Sequence, residues 1–220
     1  MKNVKLKSAR LQTLLLNTID LCYQGRIKEH TDSCKPIVDK LLPDLHPCSD
    51  EYLFEAFKKP LIDYGWPRAQ YGFGMTHIHP RVEEIIAPLR QKVARIGNYL
   101  GTPKNALLMG YPDNGYIGWH HNGNAPGYNV LLTYSQDGDG NFSYWDYETK
   151  SIVRLQDVPG WQCRVGYYPD IVREKHKVFW HMAETKKHRM TFAWVINHKE
   201  MWKSMIDEIT EGDYDPSILG

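Results

Sequence analysis

Tyr111-Pro112-Asp113-Asn114-Gly115-Tyr116-Ile117-Gly118-Trp119-His120-His121-Asn122-Gly123-Asn124 is the stretch on which the reading of this chain turns. Pro112 to Gly115 is turn chemistry, because proline fixes one backbone angle and Asn-Gly tolerates unusual ones. The run from Gly115 to His121 then reads as a short strand whose side chains alternate between two faces. His120, Asn122 and Asn124 share one side; Trp119 and His121 share the other.

Working outward, the chain from Ala106 breaks into short β-like runs at residues 106–111, 115–121, 128–135, 141–145, 151–155, 161–168, 177–181 and 190–195. Their joints, Gln136 to Gly140 among them, are rich in Gly, Asn, Asp and Pro, and this rhythm predicts a β-sandwich or barrel. The block closes with Phe179-Trp180-His181 and then Lys187-His188-Arg189-Met190-Thr191-Phe192. Two histidines far apart in sequence, with an oxygen donor beside the first, form the ligand pattern of a non-haem iron site. Arg189 offers a forked donor pair for a carboxylate. The spacing alone equally allows His120 and His181 to be hydrogen-bonded core histidines. Lys186, Lys187 and His188 could attract phosphates beside the site, but they read first as a solvated turn.

Upstream, Leu11, Leu14, Leu15, Ile19 and Cys22 recur at helical spacing between Ser8 and Tyr23. A helical turn is expected over residues 36–42, and a helix capped by Asp50 through Phe57. Gly65 to Gly74 sets Trp66, Tyr71 and Phe73 among glycines, either as a strand and turn or as a lid over a cleft. Val82, Ile85, Ile86, Leu89, Val93 and Ile96 give the strongest helical period, from Pro80 to Tyr99, with Pro88 expected to kink or split it. A last helix is expected from His198 to Thr210, with Met201, Trp202, Met205 and Ile206 on one face and a polar tail after it.

A formal charge of +1, from 27 basic and 26 acidic side chains, gives no whole-surface argument for nucleic acid. Seven tryptophans and 14 tyrosines suit broad β faces or a ring-stacking cleft. Cys22, Cys34, Cys48 and Cys163 do not make a disulfide framework. His30 and His46 lie among the first three, so a zinc site is conceivable, but no close Cys-x-x-Cys pair supports it. No segment looks like a secretory leader or a membrane span, and the expectation is a soluble, intracellular, cytoplasmic chain.

The run from Tyr111 to Asn122 resembles the AlkB-like branch of the iron(II)- and 2-oxoglutarate-dependent dioxygenases, in which an Ile-Gly-Trp-His-x-Asp-like segment carries the first two iron ligands. The likeness extends back to Trp66-Pro67-Arg68 and Tyr71-Gly72, similar to the family's substrate lid, and forward to His181 and Arg189-Met190-Thr191, over roughly residues 60–196. It implies a double-stranded β-helix (a jelly-roll, cupin-like sandwich) over residues 61–197, with a helical extension at 1–60 and a helix and tail at 198–220, packed outside. It implies iron(II) held by His120, Asn122 and His181, and 2-oxoglutarate held by Tyr111, Arg189 and Thr191, with Trp66, Arg68, Tyr71 and Phe73 in the lid. The implied reaction is hydroxylation or oxidative demethylation with O2, coupled to decarboxylation of 2-oxoglutarate, on a nucleic acid, protein or small molecule. The chain departs from the pattern in four ways. Asn122 stands where the family has a carboxylate, Ala193 where it has a second arginine, and Met109 where an asparagine partners the tyrosine. Arg189 also falls closer to His181 than in AlkB proper, a spacing more like that of other dioxygenases of the superfamily, so nucleic-acid repair is not carried over. The first departure keeps open a non-catalytic, dioxygenase-fold binding protein. Asn122-Gly123 is also a pair prone to deamidation if its turn is flexible, which would restore the carboxylate.

Overall fold

The computed structural model describes residues 1–76, 80–102, 104–123, 125–174 and 177–211. Asn124 and most of the C-terminal tail therefore lie outside the described residues. Three short strands come early: β1 (Lys2–Val4), β2 (Gln70–Tyr71) and β3 (Phe73–Gly74). Eight more follow: β4 (Leu107–Tyr111), β5 (Tyr116–His120), β6 (Gly127–Ser135), β7 (Asn141–Asp146), β8 (Ser151–Gln156), β9 (Gly160–Tyr168), β10 (His181–Glu184) and β11 (Arg189–Ile196).

The eight form two antiparallel sheets that face each other. One has the order β1-β9-β6-β11-β4-β3 and the other β2-β5-β10-β7-β8. Successive strands β4, β5, β6 and β7 alternate between the sheets, as do β8, β9, β10 and β11, which is the winding of a double-stranded β-helix. The early strands merely widen its edges. Residues 1–60 are thus not a purely helical extension, because β1 pairs with β9 in the first sheet.

Helices cover the outer face of that six-stranded sheet. Ser8 caps α1 (Ala9–Tyr23) by accepting the Leu11 N–H, and Leu11, Leu15, Thr18 and Cys22 are its buried stripe. α4 (Pro80–Tyr99) buries Ile85, Ile86, Leu89, Val93 and Ile96, and α5 (Lys199–Ile209) buries Trp202, Met205, Ile206 and Ile209. Each fully buried Leu or Ile contributes about 1.5–3 kcal/mol.

Several expectations need correction. α4 runs unbroken through Pro88: both Pro88 and Glu84, whose carbonyl loses its partner, face solvent, so water replaces the missing bond. Met201 is exposed rather than part of the buried face of α5. The cap of α3 (Asp50–Ala56) is Ser49, which accepts the Tyr52 N–H, and Asp50 is its first helical residue. α2 (Gly25–Asp32) had no apolar period to announce it. Residues 36–42 are not helical; Ile37 bridges to Gln70 instead. The strand expected at 177–181 begins at His181, because Val178 and Trp180 are buried in the outer cluster with Tyr64 and Trp119 and do not join a sheet.

Candidate metal and cosubstrate site

The gap between the sheets holds a cavity of about 400 Å³, lined among others by Tyr111, His120, Asn122, His181, Arg189 and Thr191. β5 and β10 pair so that His120 lies opposite His181, with ring centroids 4.2 Å apart. The His120 Nδ1–H donates to the Gly118 carbonyl at 2.8 Å, and the His181 Nδ1–H to the Phe179 carbonyl at 2.9 Å. Those bonds fix both tautomers and leave both Nε2 lone pairs available as ligands. Burial lowers the His120 pKa to about 4, and burial together with the neighbouring ring holds His181 well below the ordinary imidazole value. Both rings are therefore neutral near pH 7, which is the form a metal needs.

Asn122 follows the end of β5 with φ of +49°, a left-handed conformation that asparagine tolerates. Its side-chain Nδ2 lies 3.4 Å from His181 Nε2, and half a turn of the amide would put its oxygen there. The deamidation route is closed by geometry. Gly123 N–H donates to His121 Nδ1 at 3.0 Å, and a Cβ on Gly123 would meet Ile171 Cγ2 at 1.8 Å. The nitrogen that would attack the amide is held in a packed turn rather than a flexible one. His121 itself points the other way, onto Trp180 and the Leu61 carbonyl.

Arg189, buried, donates from Nε to Asp157 Oδ2 at 2.7 Å and from Nη1 to Thr191 Oγ1 at 3.0 Å, with its guanidinium 5.0 Å from the centre of the Tyr111 ring. Asp157 also accepts from Arg164 Nη2 at 2.7 Å. Burial pushes the Asp157 carboxyl up, but the two guanidiniums more than offset it and hold it below its usual range. Two arginines on one aspartate leave a buried net positive charge beside the cavity, suited to an anion. His181 is walled by Tyr168, Phe142 and Phe179 at ring distances of 4.8, 5.5 and 5.4 Å, a largely apolar shell on that side of the ring.

The expected lid is only partly assembled. Trp66 lines the cavity mouth and is exposed. Arg68 is tied by Nε to Asp39 at 2.8 Å, an aspartate that also accepts the Tyr52 hydroxyl at 2.6 Å. Tyr71 meets Tyr116, and Phe73 stacks on His30. Arg68, Tyr71 and Phe73 anchor the segment from outside the cavity. Lys186 and Lys187 are exposed, and Lys187 reaches Asp113 on the surface, but His188 is not part of a solvated turn: it is buried with its ring 4.4 Å from that of Tyr23. Sequence reasoning missed Asp157 and Arg164; an arginine inside the apolar run Cys163-Arg164-Val165 was the available signal, since a buried charge requires a partner.

No family model matches the sequence, and no curated protein sequence does. Among solved structures, a prolyl-4-hydroxylase from Pseudomonas putida aligns over 84% of this chain and 99% of its own, at 12% identity and a TM-score of 0.33. An oxidoreductase of the 2OG-Fe(II) oxygenase family from Burkholderia pseudomallei aligns over 89% and 95%, at 12% identity and 0.32. A cysteine peptidase from Thevetia peruviana latex also aligns, over 40% of this chain and 45% of its own, at 12% identity and 0.27. Likenesses this slight carry no argument about activity, and the functional reading rests on the cavity itself. Among the described residues, no helix is long and apolar enough to cross a membrane.

Proposed function

We propose that the chain is an iron(II)- and 2-oxoglutarate-dependent dioxygenase, a hydroxylase or oxidative demethylase. The observation that carries this reading is the pair of neutral histidines, each fixed by a backbone carbonyl with Nε2 left available, in one cavity with a buried, net positive arginine cluster. The donors fit a divalent metal: two imidazoles, with the Asn122 amide oxygen as a neutral third. Iron(II) with 2-oxoglutarate supplies C–H oxidation by O2 coupled to release of succinate. His120 and His181 hold the metal, and Arg189, oriented by Asp157 and Thr191 and lying against Tyr111, takes the distal carboxylate. Phe142, Tyr168 and Phe179 wall His181 on one side, and Trp66 meets the substrate at the mouth. The AlkB-like branch rests on sequence resemblance alone. The substrate classes in the reading are nucleic acid, protein and small molecule.

One observation favours a second reading, a non-catalytic binding protein. With Nδ2 3.4 Å from His181 Nε2, Asn122 gives that histidine a partner without a metal. Succinate release, measured with iron and 2-oxoglutarate against a panel of methylated DNA, RNA, peptides and small metabolites, separates the two. The expected result is iron-dependent succinate that disappears in His181→Ala. Absence of succinate from both the wild type and Asn122→Asp would favour the binding protein.

A further inference from the structure

Outside the cavity, the structure gathers a second set of metal-binding groups on the reverse face of the same two strands. One ligand atom from each of His46, Cys48 and Glu184 lies within 4.8 Å of the others. His46 is exposed, Cys48 buried and Glu184 half-buried. Glu184 lies three residues beyond His181 on β10, so alternation turns it to the opposite side of the sheet. The segment carrying His46 and Cys48 is bonded onto β5: Trp119 N–H donates to the Pro47 carbonyl at 3.1 Å, and Trp119 Nε1–H to the Ser49 carbonyl at 3.0 Å. Gly118 permits this approach, since a Cβ there would meet Pro47 Cβ at 2.7 Å.

Two features set this trio apart from a chance cluster. Among the described residues Glu184 belongs to no salt bridge, although it is half-buried beside a thiol; its carboxylate is oriented by the Asn141 amide, which donates to Oε1 at 3.0 Å. That is how a metal-binding carboxylate is usually held. The donor set is also chemically coherent, because thiolate, imidazole and carboxylate together select zinc-like ions over magnesium or calcium.

We propose that His46, Cys48 and Glu184 bind a zinc-class divalent cation, with water completing the tetrahedron. Such an ion would clamp the 46–49 segment onto β5 and β10 behind His120 and His181. Burial first, and the Glu184 charge second, push the Cys48 thiol well above its ordinary range, so the thiol is protonated until the ion arrives and binding releases that proton. His46 Nδ1 now accepts the Cys48 N–H at 3.3 Å. Ligation requires the exposed ring to give up that long bond or to turn Nε2 inward.

The test uses cobalt(II), with His120→Ala/His181→Ala as background so that the inner site cannot contribute. This proposal does not depend on the proposed activity. One equivalent of cobalt should give a thiolate-to-cobalt charge-transfer band in the near ultraviolet. The band should vanish in Cys48→Ala, and cobalt affinity should weaken by roughly tenfold or more in Glu184→Gln and in His46→Ala. His46 is exposed, so its variant folds even if the buried cysteine variant does not. Absence of the band, or affinity unchanged in both His46→Ala and Glu184→Gln, overturns the site. A band that survives in folded Cys48→Ala would assign it to another cysteine and overturn it equally.

Discussion

The two sheets of this molecule are built on different terms. The six-stranded sheet turns its outer face to α1, α4 and α5, through a cluster of Leu, Ile, Val, Met, Phe and Trp side chains. The five-stranded sheet is covered by α3 and much irregular chain, with a smaller apolar cluster that includes Leu53, Ala56, Tyr64, Trp119 and Trp180. To that packing its cover adds directed polar contacts: Arg68 and Tyr52 on Asp39, Trp119 on Ser49, His121 on the Leu61 carbonyl. Apolar packing tolerates exchange among residues of similar size, whereas directed contacts fix angles. The sheet that must aim two imidazoles adds directed contacts to the apolar packing of its cover.

The largest expected effect lies on the other side of the six-stranded sheet, where directed contacts replace apolar packing in the buried ion cluster facing the cavity. Asp157→Ala leaves Arg164 and Arg189 buried without their shared counter-ion, and the expected loss is about 3–5 kcal/mol of stability. Urea unfolding of the metal-free protein checks it. A loss below about 1 kcal/mol would mean that water reaches the guanidiniums and the cluster is not a dry anion site.

What the sequence revealed divides along the same line. The helical face was legible because Leu11, Leu15 and Cys22, or Ile85, Leu89, Val93 and Ile96, repeat at the helical period whatever they pack against. A β-sandwich or barrel was legible because glycine, asparagine and proline joints mark where strands end; the double-stranded β-helix was implied only by the resemblance of Tyr111 to Asn122 to a known family. Hidden were the facts that depend on which strand lies opposite which. Val178 and Trp180 alternate like a strand yet serve the outer cluster, and Asp157 shows its role only when β9 and β11 place two arginines around it. His46 and Cys48 belong to the cysteine and histidine set whose spacing gave a zinc site no support, because Glu184 is distant in sequence and joins them only through the β5–β10 pairing. Cys22 and Cys34 do not join that trio among the described residues.

A smaller effect should separate the sheets by pH. Burial holds the folded His120 pKa near 4, against about 6.5 in the unfolded chain. Between those values the unfolded state takes up a proton that the folded state refuses. Stability is therefore intact above about pH 6.5 and falls as pH drops toward 4, by on the order of 3 kcal/mol from this ring alone. His181, His121 and His188, also lowered by burial, act in the same direction. In metal-free protein the urea midpoint should fall steadily across that window, and His120→Gln with His181→Gln should flatten the slope. An unchanged slope in the double variant would mean that these rings are hydrated and not part of a dry site.

The smallest expected effect is the most informative about chemistry. Asn122 offers a metal only an amide oxygen, whereas Asn122→Asp places a charge beside two neutral imidazoles. Coulomb attraction in a buried site then favours the divalent ion, and iron(II) affinity should rise by about tenfold, or roughly 1.4 kcal/mol. The same charge would raise the His120 and His181 pKa values toward ordinary, so the gain should be largest near pH 7, where the rings stay neutral in either protein. Because Gly123 N–H is committed to His121 and Ile171 packs on the glycine, aged wild-type protein should not acquire this charge by itself. Peptide mass spectrometry on fresh and aged samples, beside anaerobic iron titration of both proteins, measures the two expectations together. Iron affinity unchanged by the aspartate would place Asn122 outside the ligand set, and the metal would then rest on the histidine pair and solvent alone.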